Sequence, residues 1–443
     1  DNMKTNDSES KIMLDHPLHM SCQEQVFGYG FICQEKDASQ LSPHTIYLQC
    51  MQRDYGTANY RVRLELSKLD TFSLFPGQVV GVHGSNPRGA AFRVSKIVQP
   101  PLLPFTRTPT NILAKQAMQR TKTIFASGPF TTPSNLFYEP LQDLINTALE
   151  SYQRSRQTHA SFVLVLTGPF VDRSHPMIAD GELDCDEPIV NSLSELFEKR
   201  VLAKLYAFLE KCENARLVMV PSINDVHHAS KALPQFAFCN QVHPTFKDRV
   251  LFVSNPAEFQ INEHVVQTIS EDILFALSPK SVERTIIHQS VSDNVSDSVG
   301  DNSVGDSVGD PIASTSSTTI DSDQCPSNID RMSRIVHHLL HQRSLYPLTP
   351  TAQNISVCTK ANQQFSLSPN QTRPDIVLLS SRLQYFVKQI HGVLFINAGH
   401  LTRGNFGGTF AEIDIEPINQ SLLLSSTSSQ QHFTAQRSHV RIV

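Results

Sequence analysis

Tryptophan is absent from this chain of 443 residues, and no apolar run approaches the length of a membrane-spanning helix. The longest runs, such as Phe162 to Leu166, fall far short of the roughly 20 residues a bilayer requires. The eight cysteines, at 22, 33, 50, 185, 212, 239, 325 and 358, form no C-x-x-C pair, which removes a zinc ribbon from consideration. No signal peptide is recognisable, so the thiols are expected to be reduced, in a soluble protein of the cytosol or nucleus. Gly-Lys-Ser/Thr phosphate loops are also missing. Charge of one sign is scarce: the net value is -5, and seven Asp lie between residues 290 and 323 without a Lys or Arg. The remainder is close to neutral, so electrostatics alone does not predict strong nucleic-acid binding. What is present is 40% hydrophobic residues, enough for a sizeable core in two or three domains, and 26 prolines, which imply many loops. Asp1 in place of Met is expected to mark a processed chain or a fragment.

Residues 1–25 lack periodicity and read as a tail. From 26 to 104 the pattern is all-β, with candidate strands Val26–Cys33, Thr45–Met51, Tyr60–Leu66, Gln78–His83 and Ala91–Val98. Five short strands in so little chain predict a small closed barrel of the oligonucleotide-binding (OB) kind. After the stiff Pro100-Pro101-Leu102-Leu103-Pro104 connector, residues 105–443 alternate strand and helix. Expected strands are Thr123–Ala126, Phe162–Leu166, Leu217–Val220, Val250–Val253, Ile376–Leu379 and Val393–Asn397. Leu141, Leu144, Ile145, Ala148, Leu149 and Tyr152 mark one helix face; Ile189, Leu193, Leu196, Phe197 and Leu205 mark another. Short apolar strands separated by amphipathic helices predict an α/β core covered on its faces. The serine, valine, glycine and aspartate repeat at 290–330 has too little apolar content to order and reads as a disordered acidic insertion.

In such folds ligands sit on loops leaving the carboxyl ends of strands. Here those loops are Ala126-Ser127-Gly128-Pro129-Phe130, Thr167-Gly168-Pro169-Phe170-Val171-Asp172, Pro221-Ser222-Ile223-Asn224-Asp225 and Leu379-Ser380-Ser381-Arg382-Leu383. Their order resembles that of the calcineurin-like metallophosphoesterases, whose active members carry Asp-x-His, Gly-Asp-x-x-Asp, Gly-Asn-His-Asp/Glu and Gly-His-x-His. A two-metal site needs carboxylate and imidazole ligands, one of them bridging. Measured against that pattern, Ser127 and Pro129 replace the first Asp and His, and Pro169 replaces the bridging Asp. Ile223 stands for the Asn ligand, Asn224 for the catalytic His, and Ser381 and Leu383 for the last imidazoles. Only Asp172 and Asp225 match, so no catalytic, cofactor-binding or metal residue is assigned and no cofactor is expected.

The histidines outside those positions read as structural. His227 and His228 fall just past the third loop and are expected to serve packing or an interface. His400 imitates the lost Gly-His motif but follows Val393–Asn397, one element too late. His337 and His341 stand at i, i+4 on the expected helix Asp330–Arg343, a spacing that can bind zinc. No third ligand is evident, and the stripe of Met332, Ile335, Val336, Leu339 and Leu340 leaves His337, His338 and His341 near the solvated edge.

Nine stretches in order, among them SLFPGQVV, SGPFTT, TGPFVD, VPSINDVHH, HQRSLYPLTP and INAGHLTRGNFGGTFA, are similar to the B subunits of the DNA polymerase alpha–primase complex. The resemblance runs from about Phe27 to Val443. It implies an OB barrel on an inactivated phosphodiesterase domain, a non-catalytic scaffold in the nucleus that supports primer synthesis in DNA replication. It further implies the C-terminal region of the polymerase catalytic subunit as partner, primase through the complex, only weak or indirect contact with DNA, and no membrane. Three alternatives stand beside it. One is an active metal-dependent phosphodiesterase. Another is a delta or epsilon small subunit. The third is a single-stranded-DNA module using Arg53, Tyr55, Tyr60, Arg61, Arg63, Arg88, Phe92 and Arg93.

Overall fold

The computed structural model describes residues 17–35, 41–50, 60–116, 119–156, 160–183, 190–240, 242–285, 330–352, 355–358, 372–419 and 429–443. The acidic repeat, Ile189, Arg53 and Tyr55 lie outside these residues.

Five strands close into a barrel in the order Cys22–Gln34, Ile46–Cys50, Arg61–Glu65, Phe92–Val98, Val79–Asn86. The first strand is long enough to pair along different stretches with both Ile46–Cys50 and Val79–Asn86, and two glycines let it bend between them. A Cβ on Gly30 would lie 2.2 Å from the Gln49 carbonyl oxygen, and one on Gly28 would meet the Leu18 side chain at 2.5 Å. Alternation puts Val26, Gly28, Gly30 and Ile32 inside, and Phe27, Tyr29 and Phe31 outward. The expected tail therefore ends earlier than residue 25. Leu18 is buried in the barrel core, and its main chain is held by the Tyr60 hydroxyl (3.1 Å) and the Asn86 amide (2.9 Å). A lone buried residue outside any strand or helix carries no period, so this plug was invisible to pattern reading.

The remaining elements form a sandwich of two sheets with helices on both outer faces. The first sheet runs Val250–Phe252, Ala215–Val220, Ser161–Thr167, Thr121–Ser127, Ala411–Ile415, Ser438–Ile442, parallel in its first four strands and antiparallel at the last two. The second runs Ala257–Ile261, His264–Ile269, Ile376–Leu379, Val393–Asn397, Phe386–Ile390. Val163, Val165 and Val218 of one sheet face Val266, Leu378 and Ile396 of the other across a shared apolar layer. Helices Glu139–Arg156 and Ala203–Lys211 cover the outside of the first sheet. Helices Ile273–Leu277 and Arg331–His341 cover the second. The expected helix through Leu196 and Leu205 is present, but it passes through a π-helical turn at Phe197–Leu202.

The barrel is docked on the second helical layer. Strand Thr71–Leu74 pairs antiparallel with Val282–Thr285, far along the chain. The Gln342 side chain accepts from the Val79 amide (2.7 Å) and donates to the Val79 carbonyl (3.0 Å). This docking corrects one expectation. His337, His338 and His341 are buried (0%, 1% and 1% exposed), not at a solvated edge. Barrel, proline linker and second sheet enclose the helix face opposite its apolar stripe. Among the described residues, no helix is long and apolar enough to cross a membrane.

Candidate functional site

The loops after Thr121–Ser127, Ser161–Thr167, Ala215–Val220 and Ile376–Leu379 meet at one rim, as parallel strands in facing sheets dictate. They border a cleft of about 890 Å³ whose wall includes Ser127, Pro129, Pro169, Asp172, Asn224 and Arg382. Each of the first two loops begins by continuing its neighbour's ladder. The Gly128 amide donates to the Thr167 carbonyl and the Gly168 amide to the Val220 carbonyl, both at 2.8 Å. A Cβ on Gly128 would stand 2.2 Å from the Pro169 carbonyl oxygen, so the approach of these loops is open only to glycine.

Asp225 is fully buried and organises the rim. Its Oδ1 accepts from the amides of Phe170 (2.5 Å) and Val171 (2.9 Å), and its Oδ2 from the amide of Ser222 (2.8 Å). Burial pushes this carboxyl up to about 7, while the same three amides pull it down. Asp172 bonds its own turn, accepting from the Ser174 amide (3.0 Å) and hydroxyl (2.7 Å). Both carboxylates that match the metallophosphoesterase pattern are thus engaged with backbone and loop. Ser381 is used in the same way: its hydroxyl accepts from the Leu383 amide (3.2 Å) and its amide donates to Asn397 (3.1 Å). Ile223 points into the core beneath the second helical layer.

His227 and His228 lie away from the rim. The His227 ring stacks on Phe197 with centroids 4.2 Å apart, and burial drives its pKa down to about 3. His228 Nε2 sits 2.9 Å from the Phe236 carbonyl. His400, discounted from its place in the order of elements, does line the cleft; burial lowers its pKa. Sequence reading placed Arg382 on the fourth loop but missed Glu271 and Asp272, which also line the cleft. Glu271 is buried, which pushes its carboxyl up to about 7. Asp272 caps helix Ile273–Leu277 through the Phe275 amide (3.0 Å) and accepts from the Arg382 amide (3.0 Å). An acidic residue just before an apolar helical run is an N-cap signature that could have located this wall.

Of the barrel residues considered for nucleic acid, Phe92 is core and Tyr60 is turned inward to bond the Leu18 amide. Arg93 pairs with Glu65 at 3.3 Å. Arg61, Arg63 and Arg88 are exposed, and among the described residues of the barrel the large aromatic rings most open to solvent are Tyr29 and Phe31.

Fold and rim together define a mixed α/β protein, a small closed barrel joined to a sandwich whose strand-end loops are tied by their own side chains. The family of DNA polymerase alpha/epsilon B subunits matches residues 123–388, and the OB domain of the DNA polymerase alpha B subunits matches residues 11–100. The chain belongs to the family of DNA polymerase alpha/epsilon B subunits. Among its relatives, the DNA polymerase alpha B subunit of Schizosaccharomyces pombe is 30% identical over 422 residues, covering 93% of this chain and 62% of that protein. The mouse protein of the same name is 29% identical over 404 residues, covering 91% and 56%. That of Saccharomyces cerevisiae is 25% identical over 437 residues, covering 89% and 54%. The chain thus spans little more than half the length of these relatives.

Proposed function

We propose that this chain is the scaffold part of a non-catalytic accessory subunit in a nuclear DNA polymerase alpha–primase complex. In this reading the barrel, through residue 104, and the sandwich, from residue 105, form one rigid platform. The platform grips the C-terminal region of the polymerase catalytic subunit and holds it near primase for primer synthesis. The sandwich is a calcineurin-like phosphodiesterase core that has lost its chemistry. The observation that carries the reading is the state of the rim: Asp225 spends both oxygens on backbone amides, and prolines occupy positions 129 and 169. Neither arrangement leaves the facing carboxylates and imidazoles that a dinuclear centre needs. The names of the relatives and the match to their OB domain support the choice of partner. A permanent grip of this kind typically buries more than about 2,000 Å².

Co-purification of the chain with the C-terminal regions of the alpha, delta and epsilon catalytic subunits tests the proposal. Stable capture of alpha alone is expected; preference for delta or epsilon, or capture of none, overturns it. A chromogenic phosphodiester with Mn²⁺ should show no turnover, and turnover abolished by Asp225→Ala would restore the enzymatic reading. Exposed Tyr29 and Phe31 keep a second reading in view, since aromatic rings on a barrel can stack bases. Salt-dependent, micromolar or tighter binding of a single-stranded oligonucleotide that is lost in Tyr29→Ala would favour it.

A further inference from the structure

His337 and His341 lie one turn apart on helix Arg331–His341, so both rings project from the same face. A third imidazole reaches them from another element. His391 occupies the turn between strands Phe386–Ile390 and Val393–Asn397, and one ring nitrogen from each of the three lies within 4.8 Å of the others. Ring centroids are 4.3 Å apart for His337 and His341, 5.2 Å for His337 and His391, and 5.7 Å for His341 and His391. We propose that His337, His341 and His391 form a three-imidazole site for a divalent transition-metal ion, zinc being the best match, which pins helix, hairpin and proline linker together.

Three observations carry the assignment. His337 is 0% exposed, and neither of its ring nitrogens has a hydrogen-bond partner. A buried imidazole with two idle nitrogens is costly, and metal ligation satisfies one of them without a hydrogen-bonding partner. His341 is already oriented as a ligand: its Nδ1 lies 2.8 Å from the Pro100 carbonyl, which can only accept. That bond fixes the proton on Nδ1 and puts the lone pair on Nε2, the usual arrangement around a bound metal. His391 is held in place from below. It adopts φ 47°, followed by Gly392 at φ 76°, a two-residue turn that Asn-Gly normally fills. Its carbonyl accepts from the Arg373 guanidinium at 2.8 Å, and a Cβ on Gly392 would meet the Phe105 ring at 2.7 Å.

Nitrogen donors of this kind suit zinc, with water in the fourth position. Tetrahedral Zn–N bonds of about 2.0–2.1 Å set nitrogens about 3.4 Å apart, so closing from within 4.8 Å asks each ring to move no more than about 0.8 Å. Burial, chiefly, also lowers the pKa of His337 to about 2, which keeps that ring neutral and able to ligate near neutral pH. The site is separate from the rim and from His338, whose ring turns to the barrel.

The test uses the whole chain, stripped with chelator, desalted and titrated with Zn²⁺ alone by calorimetry. The wild type should bind one equivalent more than His391→Asn and gain several degrees in melting temperature, with no gain in the variant. Asn suits the turn, so the variant is expected to fold. In parallel, the wild type titrated with Co²⁺ should develop the visible absorption of four-coordinate cobalt, a measurement independent of any variant. Equal zinc stoichiometry in the two proteins, or no such cobalt band, overturns the proposal.

Discussion

The Nε2 of His338 lies 2.8 Å from the Ser73 hydroxyl, a hydrogen bond that joins the sandwich to the barrel across 265 residues of chain. Gln78 decides its direction. The Gln78 carbonyl oxygen accepts from the Phe75 amide (3.1 Å), so its NH₂ faces His338 Nδ1 (3.4 Å) and Nε2–H donates to Ser73. Burial, the largest influence, drives the His338 pKa down to about 3, keeping the ring neutral in this role. His338→Ala removes the donor and leaves a cavity in a buried contact. It is expected to cost about 2–4 kcal/mol in urea denaturation and to expose the linker at 100–104 to protease.

Asp225→Ala strips three amides of their acceptor inside the protein. At about 1.5 kcal/mol or more for each bond to a charged group, the loss should be about 4.5 kcal/mol or more, read as a fall in unfolding free energy. If Asp225 instead served chemistry, the variant would keep its stability.

Glu271 predicts a pH effect of definite sign. Burial, reinforced by neighbouring Asp272, raises its pKa from 4.5 to about 7 against the pull of the Ile223 amide and nearby serines. A carboxyl that holds its proton more tightly when folded contributes stability that is full below its unfolded pKa and lost as pH rises through its folded one. Stability should therefore fall between about pH 4.5 and 7, by up to about 3 kcal/mol for this group. Glu271→Gln keeps an acceptor for the Ile223 amide but cannot ionise. Denaturation midpoints measured across that window should be flatter in the variant and higher than wild type at pH 8.

Gly128→Ala places a methyl group 2.2 Å from the Pro169 carbonyl oxygen and 2.9 Å from its nitrogen. Backbone cannot rotate aside as a side chain can, so the first two rim loops must separate. The expected cost is about 2–3 kcal/mol, measured by thermal unfolding, with weakened capture of any partner that contacts the rim.

Strand and helix positions were legible where the apolar pattern was continuous. Ile376–Leu379 and Val393–Asn397 fall where their runs of buried side chains place them. The two antiparallel strands that end the first sheet, Ala411–Ile415 and Ser438–Ile442, could not be bounded from pattern, because charge interrupts them. Lys122 and Arg441 approach Glu412, at 3.4 and 2.8 Å, while Ala411, Ile413 and Ile415 turn to the inter-sheet layer. Their partners lie on other strands, so five residues of alternating character gave too weak a signal alone.

The sequence by itself determined the chemistry available at each strand end. A proline at 129 or 169 offers no side-chain donor to a cation in any fold, and a glycine at 128 or 168 permits close approach wherever the chain goes. Tertiary structure alone decided which groups meet. It turned Asp225 toward three amides and buried the helix histidines under a barrel. It also carried His391 to His337 and His341, because a contact between distant segments depends on how sheets and helices close on one another, and local pattern holds no record of that closure.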